Sequence, residues 1–207
     1  MPVTIVDHPL VGHHLTLLRS KSTSSEQFRH SIARLTNLLA FEGTKDLVTE
    51  PMTIETPLTS MTGSRLSQRV GLMPILRAGL GMVEPMLDLL PNAEVWHLGL
   101  YRDEATAKPI EYYNKLPETD PLDVSMILDP MLATGGSASL AHTAINRWQV
   151  PKIKLLCIIA SQAGVDCIAS ESPNTQIYAC AVDEKLDSRK FIVPGLGDAG
   201  DRIFNTP

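Results

Sequence analysis

From residue 70 onward, short apolar runs alternate with stretches whose apolar positions recur at helical spacing. The runs predict strands at Val70 to Leu76, Val95 to Tyr101, Val124 to Leu128, Ile153 to Ala160 and Gln176 to Val182. The helical stretches predict helices from Gly81 to Leu90 and from Ser137 to Trp148, with a shorter one near Val165 to Ser170. A strand that is apolar along its whole length, rather than at every second residue, suits a parallel sheet covered by helices. The expected class is therefore α/β. Upstream, Ser24-Ser25-Glu26-Gln27 reads as a capping box, and Phe28, Ile32, Leu35 and Leu39 line one face of the helix it opens. That face is expected to pack on the core or on a second subunit.

The chain has 207 residues, 43% of them hydrophobic, enough for one substantial core. Its fifteen prolines are scattered, and no repeat or low-complexity tract interrupts it, so residues 1–207 are read as one domain. No apolar run approaches the roughly 18 residues of a membrane span. Met1-Pro2-Val3-Thr4 lacks the basic and apolar regions of a secretory signal. A cytoplasmic protein with no membrane partner is expected. Cys157, Cys167 and Cys180 form no C-x-x-C pair and sit among apolar residues, the pattern of buried free thiols. The histidines lack H-E-x-x-H spacing, which argues against a zinc site built by the protein. A net charge of −5 and a pI of about 5.6 oppose nonspecific binding to nucleic acid. An anionic ligand then requires a local site.

The best candidate begins where the Val124 to Leu128 strand ends. Asp129-Pro130 is followed by Met131-Leu132-Ala133-Thr134-Gly135-Gly136-Ser137 and then a helical pattern. Backbone N–H groups of such a turn converge on a phosphate, Thr134 and Ser137 add hydroxyl donors, and the glycines permit close approach. Asp129 stands where a carboxylate accepts two ribose hydroxyls. No Gly-Lys-Ser or Gly-Lys-Thr is present in this loop, so a sugar phosphate fits better than a nucleoside triphosphate. A turn with capping residues would look similar. Arg77 follows another strand and precedes Ala78-Gly79-Leu80-Gly81, a position that suits a pyrophosphate, although a surface ion pair would read the same. Arg102 opens a polar stretch from Asp103 to Lys115 that reads as a hinged lid or as a solvated hairpin. Near the C-terminus, Gly195-Leu196-Gly197-Asp198-Ala199-Gly200 matches G-x-G-x-x-G letter for letter. Only seven residues follow Gly200, too few for the helix, strand and acidic residue of a dinucleotide fold.

Asp129 to Ser137 resembles the motif by which uracil phosphoribosyltransferases bind 5-phosphoribosyl 1-pyrophosphate (PRPP). The resemblance extends through His8-Pro9-Leu10-Val11, Pro74-Ile75-Leu76-Arg77-Ala78-Gly79-Leu80, Tyr101-Arg102-Asp103-Glu104 and Pro194 to Asp201. It implies a type I phosphoribosyltransferase fold, with a mostly parallel central sheet flanked by helices, a flexible hairpin lid and a C-terminal hood over the base. PRPP is then expected at Arg77, Arg102, Asp129, Pro130, Met131, Leu132, Ala133, Thr134, Gly135, Gly136, Ser137 and Asp198, with Mg2+ carried on the substrate. Backbone groups at Ile192, Gly197 and Ala199 would read the uracil edge with Asp198 beside them. Cytosine, with its amino donor and N3 acceptor, would leave buried groups unpaired there. Arg102 and Asp198 are the catalytic candidates, and no general base is assigned. A homodimer or larger homo-oligomer, and GTP as an activator, also enter with the resemblance. Many phosphoribosyltransferases carry a second acid where this chain has Leu128, as is usual for the uracil branch, so one carboxylate must suffice for the ribose; Gly43 in Glu42-Gly43-Thr44, where relatives have alanine, and Glu111, where they often have proline, depart from the family pattern. Rival readings are a relative that uses orotate or a 6-oxopurine, a PRPP sensor that binds RNA, and an inactive structural subunit. The C-terminal glycine loop opposes the first, and the absence of a basic face opposes the second.

Overall fold

A computed structural model of the chain describes residues 3–102 and 109–207. In chain order the first half contains β1 (Thr4–Ile5), α1 (Pro9–Arg19), α2 (Ser25–Gly43), β2 (Thr49–Glu55), β3 (Ser60–Leu66), β4 (Val70–Pro74), a 3₁₀ turn (Ala78–Met82), α3 (Val83–Leu89), β5 (Glu94–Val95) and β6 (Leu98–Arg102). The second half contains β7 (Pro109–Asn114), β8 (Val124–Leu128), β9 (Met131–Leu132), α4 (Gly136–Arg147), β10 (Lys152–Ser161), α5 (Gln162–Glu171), β11 (Gln176–Asp183), β12 (Lys185–Leu186), β13 (Ile192–Val193) and α6 (Ala199–Phe204).

The central sheet has the order β1-β11-β10-β8-β4-β5, with β9 also paired to β10, and each of these pairings is parallel. Its middle strands are buried on both faces, as their unbroken apolar character requires. On β8, Val124, Met126 and Leu128 join a cluster with Phe28, Ile32, Leu35 and Leu39 of α2. Ile127 points the other way, into a cluster with Ala138, Ala141 and Ile145 of α4. Period-two alternation along one strand thus feeds two cores, one on each side of the sheet. Among the described residues, no helix is long and apolar enough to cross a membrane.

Local signals account for how the helices start. Ser24 and Gln27 make the reciprocal capping box of α2. His8 accepts the Leu10 N–H through Nδ1 (3.1 Å), with Pro9 at the first helical position of α1. Gly43 ends α2 where a Cβ would find Leu156 at 3.5 Å, an ordinary contact, so the departure from alanine there leaves a small gap rather than relieving a clash.

The expected ends of β4, α4, β10, α5 and β11 are off by about one to three residues, and two elements differ in kind. The expected strand from Val95 to Tyr101 is two strands: β5 pairs with β4, while β6 pairs antiparallel with β7 in a separate two-stranded sheet. The expected helix at Gly81 begins as the 3₁₀ turn and becomes α-helical at Val83. A further hairpin, β2–β3, pairs Thr49 with Leu66 through Glu55 with Ser60 and is exposed along nearly its whole length.

Candidate active site

Parallel pairing brings the carboxyl ends of the sheet strands to one edge, where an open α/β sheet offers a ligand crevice. Pro74 of β4 lies opposite Leu128 of β8, so the segments leading to Arg77 and Asp129 leave from adjacent strand ends. Gly79 allows these segments to meet. A Cβ at this residue would lie 2.4 Å from the Leu128 carbonyl oxygen and 3.1 Å from Pro74 Cα, so only glycine lets the Arg77 turn rest on the end of β8. The Leu76–Arg77 peptide bond in this turn is cis.

The loop after β8 is fastened by its own backbone and by β10. The Asp129 carboxylate accepts the Met131 N–H (3.2 Å), and Pro130 is anchored through its carbonyl to Ile158 and Ile159 of β10. Gly135 is the N-cap of α4, at φ 86, and no side chain caps this helix. α1, α2, α5 and α6 are capped by His8, Ser24, Ser161 and Asp198, while α3, like α4, has no side-chain cap. No acidic residue occupies the first turn of α4 either. The start of α5 forms the floor of the loop. Ser161 Oγ donates to the Ala133 carbonyl (2.5 Å) and accepts the Gly164 N–H (2.9 Å). Cys167 lies directly under Gly135, where a Cβ would come within 2.7 Å of its own Cβ. Thr134, Gly136 and Ser137 are half-buried around this loop.

Arg77 is exposed and ion-paired with Asp201 of α6 (2.9 Å), with its guanidinium 5.9 Å from the Phe204 ring. Of the two readings of Arg77 in the sequence, the ion pair is the one the structure shows. Asp198 accepts the Asp201 N–H (3.0 Å), so the turn role and the placement near Arg77 coincide as well. Gly197 and Asp198 are exposed, whereas Ile192 and Ala199 are buried. Arg102 ends β6, paired with Pro109, but its side chain lies outside the described residues, as do residues 103–108 of the expected lid.

Cys157 and Cys180 are buried free thiols, as expected, but Cys167 is half-buried against the phosphate loop. Burial pushes Cys180 up to about 12 and pushes Cys157 well up, with the nearby Asp129 charge adding to the second. Neither is a nucleophile at neutral pH. His142 is lowered by burial and bonded to Thr175 (2.6 Å) away from this edge. Sequence reading missed the residues that fasten the C-terminal loop: Arg19, Asp183 and Arg202. Arg19 and Asp183 stand 164 positions apart, and no spacing rule links them.

A sheet of this order, with an uncapped helix start behind a strand-end carboxylate, is the frame of a phosphoribosyltransferase. A hypoxanthine phosphoribosyltransferase from Trypanosoma cruzi, solved with its product IMP, shares that fold at 9% identity, with a TM-score of 0.51 over 76% of this chain and 75% of that one. Within this class the chain belongs to the uracil phosphoribosyltransferase family, whose model matches residues 5–206. It is 52% identical to the uracil phosphoribosyltransferase of Roseiflexus sp. strain RS-1 over 99% of this chain and 98% of that one. The solved AQ2163 protein from Aquifex aeolicus is 35% identical, with a TM-score of 0.93 over 98% of both chains.

Proposed function

We propose that the chain transfers the phosphoribosyl group of PRPP to N1 of uracil, giving UMP and pyrophosphate. The observation that carries this reading is the uncapped α4 start behind Asp129, in a chain that matches the uracil family along nearly its whole length. The 5-phosphate sits in the loop from Pro130 to Ser137, against backbone N–H groups and the hydroxyls of Thr134 and Ser137. Asp129 accepts the ribose hydroxyls, and Arg77 and Arg102 meet the pyrophosphate. The N1–C1′ bond forms as the C1′–O bond to pyrophosphate breaks, through a state resembling an oxocarbenium ion. Positioning, and charge stabilisation on the departing group, supply most of the acceleration.

Arg77 exchanges Asp201 for the more highly charged pyrophosphate when PRPP binds. Backbone groups at Ile192, Gly197 and Ala199 meet the uracil edge, and Asp198 lies between base and PRPP. Mg2+ would offset charge on the pyrophosphate, with Asp129 and Asp198 as the carboxylates that this reading sets beside PRPP. Among the described residues, no group of three or more His, Cys, Asp or Glu could hold a metal ion.

We also infer a symmetric homo-oligomer. The β2–β3 hairpin exposes Met52, Ile54, Leu58 and Met61, and a groove of about 800 Å³ at its root is lined by Leu10, Phe41 and Leu89. Self-association of like chains needs such a projection and recess on one surface. GTP activation stays with the family resemblance and has no residue assigned to it.

The reaction is tested by incubating the protein with PRPP, Mg2+ and uracil. UMP and pyrophosphate are expected in equal amounts, with loss of both on adding EDTA. PRPP hydrolysis without UMP would overturn the reading.

A further inference from the structure

We propose that Arg19 and Asp183 form a clamp that positions the base-reading loop, so that they govern uracil affinity and base selectivity without touching either substrate. This rests on the reading of Ile192, Gly197 and Ala199 as the uracil site. Asp183 is the last residue of β11 and is 9% exposed. Arg19, at the end of α1, donates to both of its carboxylate oxygens at 2.8 Å. The pair then captures both backbone groups of Gly195: its N–H donates to Asp183 Oδ2 (3.1 Å), and its carbonyl accepts from Arg19 Nη1 (2.9 Å).

Gly195 lies three residues after Ile192 and two before Gly197, so fixing it fixes the loop between the groups that meet the base. It is held at φ 59, and a Cβ there would lie 2.0 Å from the Ile192 carbonyl oxygen. The turn is therefore closed tightly enough for a shift at Gly195 to be transmitted to Ile192. The next residue is pinned as well. Arg202 donates to the Leu196 carbonyl and to those of Leu18 and Ser20, each at 2.6 Å, with its guanidinium 4.2 Å above the Phe28 ring. Two successive loop residues are thus tied to the end of α1.

A two-pronged guanidinium–carboxylate pair constrains direction as well as distance, which a lysine, as a single charged point, does not. Reading a base by its hydrogen-bond edge needs that directional control, because donors and acceptors must line up for uracil and miss for cytosine.

The test uses Arg19→Lys, which keeps the charge and loses the fork, and the double variant Arg19→Met/Asp183→Asn, which leaves no lone buried charge. Both are expected to raise KM for uracil by roughly tenfold, the scale of one charge-assisted hydrogen bond, while KM for PRPP moves less than about twofold. Discrimination against cytosine should fall in parallel. Equal rises in both KM values, or a lower Tm with unchanged kinetics, would make the pair structural and overturn the proposal. Ala199→Pro separates this from the underlying reading. Ala199 is the first residue of α6, after an extended Asp198 (ψ 114), so the backbone there accepts proline, which removes one N–H from the loop, and an unchanged Tm is required as the sign that the ring is accommodated at this fully buried residue. If Ala199→Pro raises KM for uracil and the clamp variants do not, the base site stands and the clamp is refuted. If Ala199→Pro leaves KM for uracil unchanged, the base-site reading fails and takes the clamp with it.

Discussion

Gly135→Ala is expected to remove most of the activity and to lower stability. Gly135 caps α4 at φ 86, where any side chain is strained by about 1–2 kcal/mol. The new methyl would also meet Cys167 Cβ at 2.7 Å, Cys167 Sγ at 2.8 Å and the Gly164 carbonyl oxygen at 3.0 Å. One of these neighbours is backbone and cannot swing aside, so the loop itself must move. Overpacking of this kind adds about 1–3 kcal/mol. Displacing a phosphate cradle by about an ångström costs on the order of 10² in rate, so kcat/KM for PRPP should fall by at least that factor. A melting curve and steady-state kinetics on one preparation check both halves. Adding Cys167→Ala should recover only a small part of the lost stability, because it removes the Sγ contact at 2.8 Å and leaves the Cβ contact at 2.7 Å, the Gly164 carbonyl and the backbone strain. A Gly135→Ala protein with wild-type Tm and kcat/KM would show that the loop does not hold the phosphate.

Asp129→Asn should leave the fold intact and cripple PRPP use. The amide keeps the shape of the carboxylate and can still accept the Met131 N–H, now bonded to the carboxylate at 3.2 Å. What disappears is the negative charge proposed to accept two ribose hydroxyls. Hydrogen bonds to charged groups contribute about 1.5–3 kcal/mol each, and neutral ones about 1. Losing the difference twice predicts a drop in kcat/KM for PRPP of roughly 10². Stability should change by less than about 1 kcal/mol, since the site is half-buried and no core atom is removed. Unchanged kinetics would reduce Asp129 to the residue that happens to end β8.

What was legible in the sequence was local. β8 matches its expected limits, Val124 to Leu128, because an apolar run and an Asp-Pro stop lie side by side. The α2 capping box and the helix face from Phe28 to Leu39 came through for the same reason. The segment from Asp129 to Ser137 was readable as a strand end, a glycine turn and a helix start because those parts are contiguous. The run from Val95 to Tyr101 was divided by tertiary contacts that its composition does not reveal. The Trp96 N–H donates to the Leu72 carbonyl (2.9 Å) and its indole to Glu94 (3.1 Å), after which Leu98 starts a different sheet. The β2–β3 hairpin escaped notice because it buries almost nothing, so no alternation of apolar and polar residues marks it. The fastening of the C-terminal loop was invisible for a third reason. Arg19 and Arg202 reach partners across the whole chain, and only the fold brings α1, β11 and the glycine loop together.

The most direct test of the account is competition among bases at fixed PRPP and Mg2+. Uracil, cytosine, orotate and hypoxanthine are supplied together, and the nucleotide products are separated and counted. The account predicts UMP as the dominant product, because only uracil presents acceptor, donor and acceptor in the order that the Ile192 to Ala199 backbone is proposed to match. Comparable yields of a purine nucleotide or of orotidine monophosphate would contradict it.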